Sequence, residues 1–449
     1  MRGVVSSDHM SMLKRILLLG GPIIVGQLGQ IAQQFADTMM VGHYATAHLA
    51  ASGFINNIFN LVIFSLLGIS YAVTPVVGAA RGMNDSQAVA QSLVDGIVAN
   101  LAASSVVMVM LLGVYHNIGI FGQPSEITPI ALPYLLTLSA SVPFMAVFNA
   151  LKQYSDALGD TSTPMWIMLA SNVLNIVLNF LLIFGLDTTF MSAPPLGLTG
   201  AGIATLISRI FALAALALCI KRPHGFTLIN INGIKHMFRL GIPISIQLTL
   251  EASSFNICAV FMGWLGAIPL AAHQIMCTIA TLCFQVVYGI GAAASVIISQ
   301  YRGAGDWNNV RRTAHTAWVA GFALILGMNT LVFLFHDPLI RAFTDNVQVH
   351  ACIISLMPCF FLYQIGDSIQ IVYANALRGI EQVRRMMAYA FVSYLIVSIP
   401  LSYIFGFVIG LGSTGVWLGI PFGLSLAGLL FWHEFRRQTQ QKIASTHPG

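Results

Sequence analysis

The chain has 449 residues, of which only 8% are charged and 57% hydrophobic, with a formal net charge of +5 and a mean hydropathy of +0.81. A water-soluble domain carries roughly 25% charged residues, so composition excludes an ordinary soluble globular protein, and no nucleic-acid partner is expected from the modest positive excess. Most of the outer surface must face lipid.

A membrane-crossing helix needs about 20 apolar residues. Apolar stretches of that length recur at 14–40, 47–78, 92–114, 128–155, 164–186, 198–220, 237–263, 269–299, 314–335, 349–376, 386–408 and 414–434, giving twelve predicted spans. Outer-membrane barrel strands alternate polar and apolar residues over about 10 positions, so the predicted fold is an all-α integral membrane protein. The stretch 13–31 is too long for a signal-peptide core and lacks a small-residue cleavage pattern after it, so it is read as a retained first span. The six cysteines all fall inside apolar segments and read as small core residues rather than a disulfide framework or metal cluster.

The basic residues fall on one side of this map. Arg2, Lys14 and Arg15 precede span 1, Arg81 follows span 2, Lys152 ends span 4, and Lys221, Arg222, Lys235 and Arg239 flank the loop after span 6. Arg302, Arg311 and Arg312 lie between spans 8 and 9, Arg378, Arg384 and Arg385 between spans 10 and 11, and Arg436, Arg437 and Lys442 in the tail. Only Arg341 falls on the opposite side, and Arg209 sits within span 6. Positive loops mark the cytoplasm, so both termini are expected there.

The two halves overlay at a constant shift. Pro22, Gly42, Leu49-Ala50-Ala51, Gly68 and Arg81-Gly82 match Pro243, Gly263, Leu270-Ala271-Ala272, Gly289 and Arg302-Gly303, each 221 positions on. Further along, Ala157-Leu158 is matched to Ala376-Leu377 at a shift of 219, implying a two-residue difference between the halves. Six spans per repeat make the repeats parallel, and two pseudo-symmetric six-helix lobes around a central site are an architecture of transporters that rock one half against the other. The predicted organisation is a cytoplasmic segment 1–13, a first lobe 14–220, a cytoplasmic linker 221–236, a second lobe 237–435 and a cytoplasmic tail 436–449.

Ionisable groups inside spans are costly and mark function by default. Asp37 in span 1, Glu251 in span 7 and Asp367 in span 10 lie deepest in apolar sequence. Asp37 shares a helix face with Gln27, Gln30 and Gln34, and the matching stripe in the second half is Gln247, Glu251, Ser254 and Cys258. Asp367 has Tyr363, Gln364 and Gln370 within one turn, and span 5 contributes Asn172, Asn175 and Asn179. Carboxylates beside amide and phenol oxygens can hold a proton or a small hard cation such as Na+, so Asp37, Glu251, Asp367, Tyr363, Asn175 and Asn179 are candidate coupling residues. If the cation is Na+, Glu251 and Asp367 are its candidate site. Gln30, Gln34, Gln247 and Gln364 are candidate substrate contacts, with interhelical hydrogen bonding as the alternative for all of these residues. Asp156 and Asp160 read as helix caps, Asp95 as hydrated or paired with a basic loop, and Arg209 as either a partner for a buried acid or a snorkelling cation.

No phosphate-binding G-x-x-x-x-G-K-[ST] sequence occurs. His433-Glu434 begins like a zinc-protease motif but Arg437 stands where the second His belongs, and Gly289-Ile290-Gly291 lies inside a span with no strand before it. Neither enzymatic chemistry nor a cofactor is expected.

The duplicated unit, Pro22 with Gln30 and Asp37-Thr38 before Gly42, Leu270-Ala271-Ala272-His273-Gln274 opening span 8, the Arg-Gly turns after spans 2 and 8, and Ala376-Leu377-Arg378-Gly379 after span 10 resemble the multidrug and toxic compound extrusion (MATE) transporters. Within that family the chain is similar to the bacterial NorM-type branch. The resemblance implies a cation site at Glu251 and Asp367 with Tyr363, and a first-lobe site at Asp37 with Asn175 and Asn179; a related branch has a second acid where this chain has Asn179. It implies antiport of organic cations and amphipathic drugs against inward H+ or Na+, by a monomer surrounded by lipid in the bacterial cytoplasmic membrane. The alternative within the same fold is a flippase or exporter of one endogenous metabolite or lipid-linked precursor. A pyrophosphate-binding flippase would call for cavity cations, whereas the deep charges here, apart from Arg209, are read as acidic.

Overall fold

A computed structural model describes residues 9–122, 124, 126–188, 191–220 and 228–446. Arg2, Lys221, Arg222 and the first part of the expected linker lie outside the described residues. Among the described residues, twelve helical stretches are long and apolar enough to cross a membrane, as composition required, and the chain is an all-α multi-pass membrane protein. In the first repeat these are α1 (His9–Tyr44), α2 (Thr46–Tyr71) running into α3 (Val73–Gly82), α4 (Ser86–His116), α5 (Thr128–Ala157), α6 (Ser162–Phe184) and α7 (Leu198–Cys219). A small antiparallel hairpin, β1 (Leu186–Thr188) with β2 (Met191–Ala193), joins α6 to α7. The second repeat holds α8 (Ile231–Leu265), α9 (Ala267–Gly303), α10 (Trp307–Leu334), the short α11 (His336–Arg341), α12 (Val347–Gly379), α13 (Val383–Phe391), α14 (Ile399–Tyr403) and α15 (Gly412–Thr446). Large apolar side chains such as Val106, Trp166, Phe180, Trp264 and Phe333 are exposed on the helices, which suits a surface solvated by hydrocarbon.

Local chemistry repeats with the helices. Asp85 caps α4 by accepting from the Gln87 and Ala88 N–H groups, and Asp306 caps α10 by accepting from the Asn309 N–H. Asn84 and Gly305 before them both have left-handed backbone, with φ 57° and 75°. In each repeat one helix is central: α5 packs on α2, α4 and α7, and α12 packs on α9, α10 and α15.

The turns after the central helices correct the expected register. Gly159 and Asp160 N–H groups bond to the Asp156 and Ser155 carbonyls, while Glu381 and Gln382 N–H groups bond to the Arg378 and Leu377 carbonyls. Equivalent residues there are 222 apart, so the match of Ala157-Leu158 to Ala376-Leu377 is a chance similarity one helical turn out of place. The second repeat gains one residue instead of losing two.

The tail expected from 436 is helical, since α15 continues to Thr446. Glu434 is fully buried and accepts from Arg385 (2.7 Å), Gln438 (2.7 Å), Arg437 (3.0 Å) and Tyr389 (3.2 Å), so it ties α15 to α13. Asp160 behaves as a cap, accepting from the Thr163 N–H and hydroxyl, but Asp156 does not: it pairs with Lys152 at 2.8 Å.

By packing, the described residues divide into two compact units. One comprises the described residues up to Ile24, Arg81–Met83 and those from Ile246 onward, and the other Val25–Ala80 and the described residues between Asn84 and Ser245. Both divisions cut the first helix of a repeat, at 24/25 and at 245/246, positions related by the 221 shift. The cause is visible at two glycines. A Cβ on Gly289 would meet the Gly20 carbonyl oxygen and the Ile24 nitrogen at 3.2 Å, and a Cβ on Gly68 would meet the Gly241 carbonyl oxygen at 2.6 Å and crowd Ser245. Gly20, Ile24 and Gly68 shift by 221 onto Gly241, Ser245 and Gly289, so the same backbone-to-backbone approach is made twice. Small residues permit such approach in lipid. We expect Gly68→Val and Gly289→Val each to lower the thermal midpoint of the detergent-solubilised protein, at a cost of about 1–3 kcal/mol or more from overpacking. Gly113→Val, where an added Cβ has nothing within 4 Å, is the matched control and should lower it far less.

Candidate functional site

In the unit that holds most of the second repeat, α8 and α12 bring two carboxyl groups into one polar cluster. Gln247 and Glu251 are one turn apart on α8, and the Gln247 Nε2 donates to Glu251 Oε2 at 2.7 Å. From α12 the Gln370 Nε2 donates to the same oxygen at 3.0 Å and to the Tyr394 hydroxyl at 2.8 Å. Asp367, 1% exposed, accepts from the Tyr363 hydroxyl at 3.3 Å through Oδ2, and its Oδ1 has no partner among the described residues. Gln364 is fully buried beside it, with neither amide atom bonded among the described residues. The cluster therefore has oxygen and amide groups to spare for a guest.

Tyr394 owes its place to an irregular span. Between α13 and α14 the chain makes a π-helical turn over Val392–Ser398, where the Ile399 N–H reaches back to the Tyr394 carbonyl. Pro400 follows at once and has no N–H to give an α-helical ladder. Such wide turns inside helices recur at functional sites.

The second cluster lies wholly in the other unit. The Asn179 Nδ2 on α6 donates to Asp37 Oδ1 on α1 at 2.5 Å and to Asn175 Oδ1 at 3.1 Å. The Asn175 amide also lies 3.0 Å from Asp37 Oδ1 and 2.8 Å from Gln33 Nε2, and 3.3 Å from the Thr205 N–H on α7. Both asparagines are fully buried, whereas Asp37 is half-buried. This cluster has one carboxyl group where the other has two.

A family match decides what the duplicated frame is. The chain matches the MatE family over residues 22–181 and again over 243–404, two segments whose starts are 221 apart. The chain belongs to the MatE family. It is 31% identical over 432 residues to "Probable multidrug resistance protein NorM" of Bradyrhizobium diazoefficiens, covering 92% of this chain and 91% of that one. It is 26% identical over 437 residues to "Multidrug resistance protein MdtK" of Edwardsiella ictaluri, covering 93% of each. The fold also matches a crystal structure of a mutant Vibrio cholerae MATE transporter, VcmN, with a TM-score of 0.88 at 20% identity, covering 97% of this chain and 99% of that chain.

Within the MatE frame, the structure brings some of the expected site residues together and leaves others apart. Glu251, Asp367, Tyr363 and Gln247 do meet in one cluster, and Asp37, Asn175 and Asn179 in the other. Gln30 and Gln34 are exposed on α1, and it is Gln33, four residues before Asp37, whose side chain joins the Asp37 cluster. The i, i+4 spacing from Gln33 to Asp37 was the available signal. Arg378 is the largest correction. Counted among loop residues in the sequence, it is 4% exposed at the end of α12, and its Nη2 donates to Gln247 Oε1 at 2.7 Å. The deep charges are thus not all acidic even beyond Arg209. Among the described residues Arg209 pairs with no acid: it donates to the Ser141 hydroxyl at 2.6 Å, with its guanidinium carbon 5.4 Å from the centre of the Phe59 ring. Asp95, expected to be hydrated or paired with a basic loop, is buried and accepts from Gln91 Nε2 at 2.8 Å and the Asn230 N–H at 3.3 Å.

Proposed function

We propose that this chain is a secondary multidrug efflux antiporter that exports organic cations and amphipathic drugs in exchange for inward H+ or Na+ by alternating access. The observation that carries this reading is the placing of Glu251 and Asp367 in one cluster that retains unbonded oxygens among the described residues, with a third carboxyl, Asp37, held by amides in the other repeat. A proton or Na+ and an organic cation compete for the same carboxylates, so the ion entering displaces the substrate leaving. The names of the NorM and MdtK relatives agree with this assignment. The one-sided basic residues favour cytoplasmic termini, and the bacterial relatives favour the cytoplasmic membrane, with the protein acting as a monomer among lipids.

Reconstituted in vesicles, the protein should drive ethidium efflux when either a pH or a Na+ gradient is imposed, and the gradient that works names the coupling ion. Failure of both gradients with every cationic dye would sink the antiport reading. The buried guanidinium of Arg378 and the half-buried Arg209 are what favours the second reading, export of one anionic endogenous metabolite or lipid-linked precursor. That reading predicts no cationic dye transport in the same vesicles.

A further inference from the structure

We propose that Arg378 is the tethered counter-cation of the Glu251 and Asp367 carboxyl pair, a positioning residue that weakens the pair's hold on the exchangeable cation so that it can be released. The inference rests on the antiport reading for its biological meaning, but its geometry stands apart from it. Arginine is almost never this buried without a defined partner. Here the Arg378 guanidinium donates to Gln247 Oε1 at 2.7 Å, while the Nε2 of the same amide donates to Glu251 Oε2 at 2.7 Å. The Gln247 amide is therefore oriented at both ends, its oxygen towards the cation and its nitrogen towards the carboxylate. Asn375 Oδ1, one turn before Arg378, lies 3.5 Å from Nη1 on the other side.

Charge counting shows why a transporter would need this. Two carboxylates in a low-dielectric surround attract an entering cation strongly, and a site that binds too tightly cannot cycle. A fixed guanidinium one amide away cancels part of that attraction. Among the described residues, the other titratable groups that act on the pair are Tyr363 on α12, Tyr394 on the π-helical turn and Cys283 on α9; none is a permanent charge. Nor is the guanidinium a general requirement of the helix end. By the 222 register of the turns, the first repeat has Asp156 in this place, paired with Lys152, and Met145 where the second repeat has Asp367. The extra acid and the extra base are both peculiar to the second repeat.

The test uses the full chain. In vesicles, Arg378→Gln should lower the concentration of the driving ion that gives half-maximal ethidium efflux by about tenfold and reduce the maximal rate, while Arg378→Lys, which keeps the charge, should stay within about threefold of wild type. Ethidium binding to the detergent-solubilised protein, followed by fluorescence anisotropy without any gradient, should tighten by about the same tenfold in Arg378→Gln. Gln247→Leu, which leaves the guanidinium but cuts its link to Glu251, should shift both readouts in the same direction and carries the test if Arg378→Gln does not insert. A slower Arg378→Gln with unchanged half-maximal concentration and unchanged dye affinity would assign Arg378 to structure alone and overturn the proposal, as would Lys behaving like Gln. If no gradient drives wild-type efflux yet dye binding still tightens, the antiport reading falls and the role of Arg378 stands.

Discussion

Glu251→Gln and Asp367→Asn are each expected to reduce gradient-driven ethidium efflux to the level of empty vesicles, with normal amounts of protein in the membrane. The substitutions are nearly isosteric, and the hydrogen bonds survive them. The side-chain oxygen of a Gln at 251 can still accept from Gln247 and Gln370, and an Asn at 367 can still accept from Tyr363. What disappears is the charge. With one carboxylate removed, the remaining one and Arg378 leave the cluster without net charge, so neither the coupling ion nor a cationic substrate gains by entering. Loss through misfolding would instead show as reduced yield or a shifted elution volume. Efflux at the wild-type rate in both variants would refute the assignment of the pair to coupling.

How much of this was legible in the sequence depends on the physics that fixed each feature. The spans were legible because lipid leaves few alternatives: a backbone that cannot bond to water must bond to itself, and twelve apolar stretches became twelve membrane-length helices. The repeat was legible where glycine and proline mark close approach, at Gly68 with Gly289 and Pro22 with Pro243. It was misread after span 4, because Ala-Leu is too common to set a register that only the turn hydrogen bonds decide. The three deep acids stood out by cost alone.

Their partners did not stand out. Gln33 and Gln34 differ by one position on α1, yet only Gln33 faces α6, and a polar stripe read at i, i+3 and i+7 is too coarse to separate them. Arg378 lies near a span end, where a charge count by side does not tell which way a side chain points, and it turns inward to Gln247. A basic residue directly before a helix-terminal glycine can as easily turn inward. Tyr394 depends on a π-helical turn, and nothing in the residues around it marks such a turn except Pro400 downstream.

Asp37→Asn should give a strong but incomplete defect, a fall of about tenfold in maximal gradient-driven efflux, together with a changed dependence on pH or Na+. The local fold has little reason to respond. Asn179 donates to Asp37 at 2.5 Å and an amide oxygen at 37 can accept the same bond, while Asn175 and Gln33 remain as further partners. The defect is incomplete because the Glu251 and Asp367 pair is untouched and lies wholly in the other compact unit. A single carboxyl held by amides can take up one cation and no more, so its removal subtracts one binding event rather than abolishing them all. The ion profile is the deciding measurement: efflux plotted against external pH and against Na+ must change shape for Asp37 to belong to coupling. A lower rate with the wild-type profile would mean that Asp37 serves only to join α1 to α6, and the exchange would then rest on the second repeat alone.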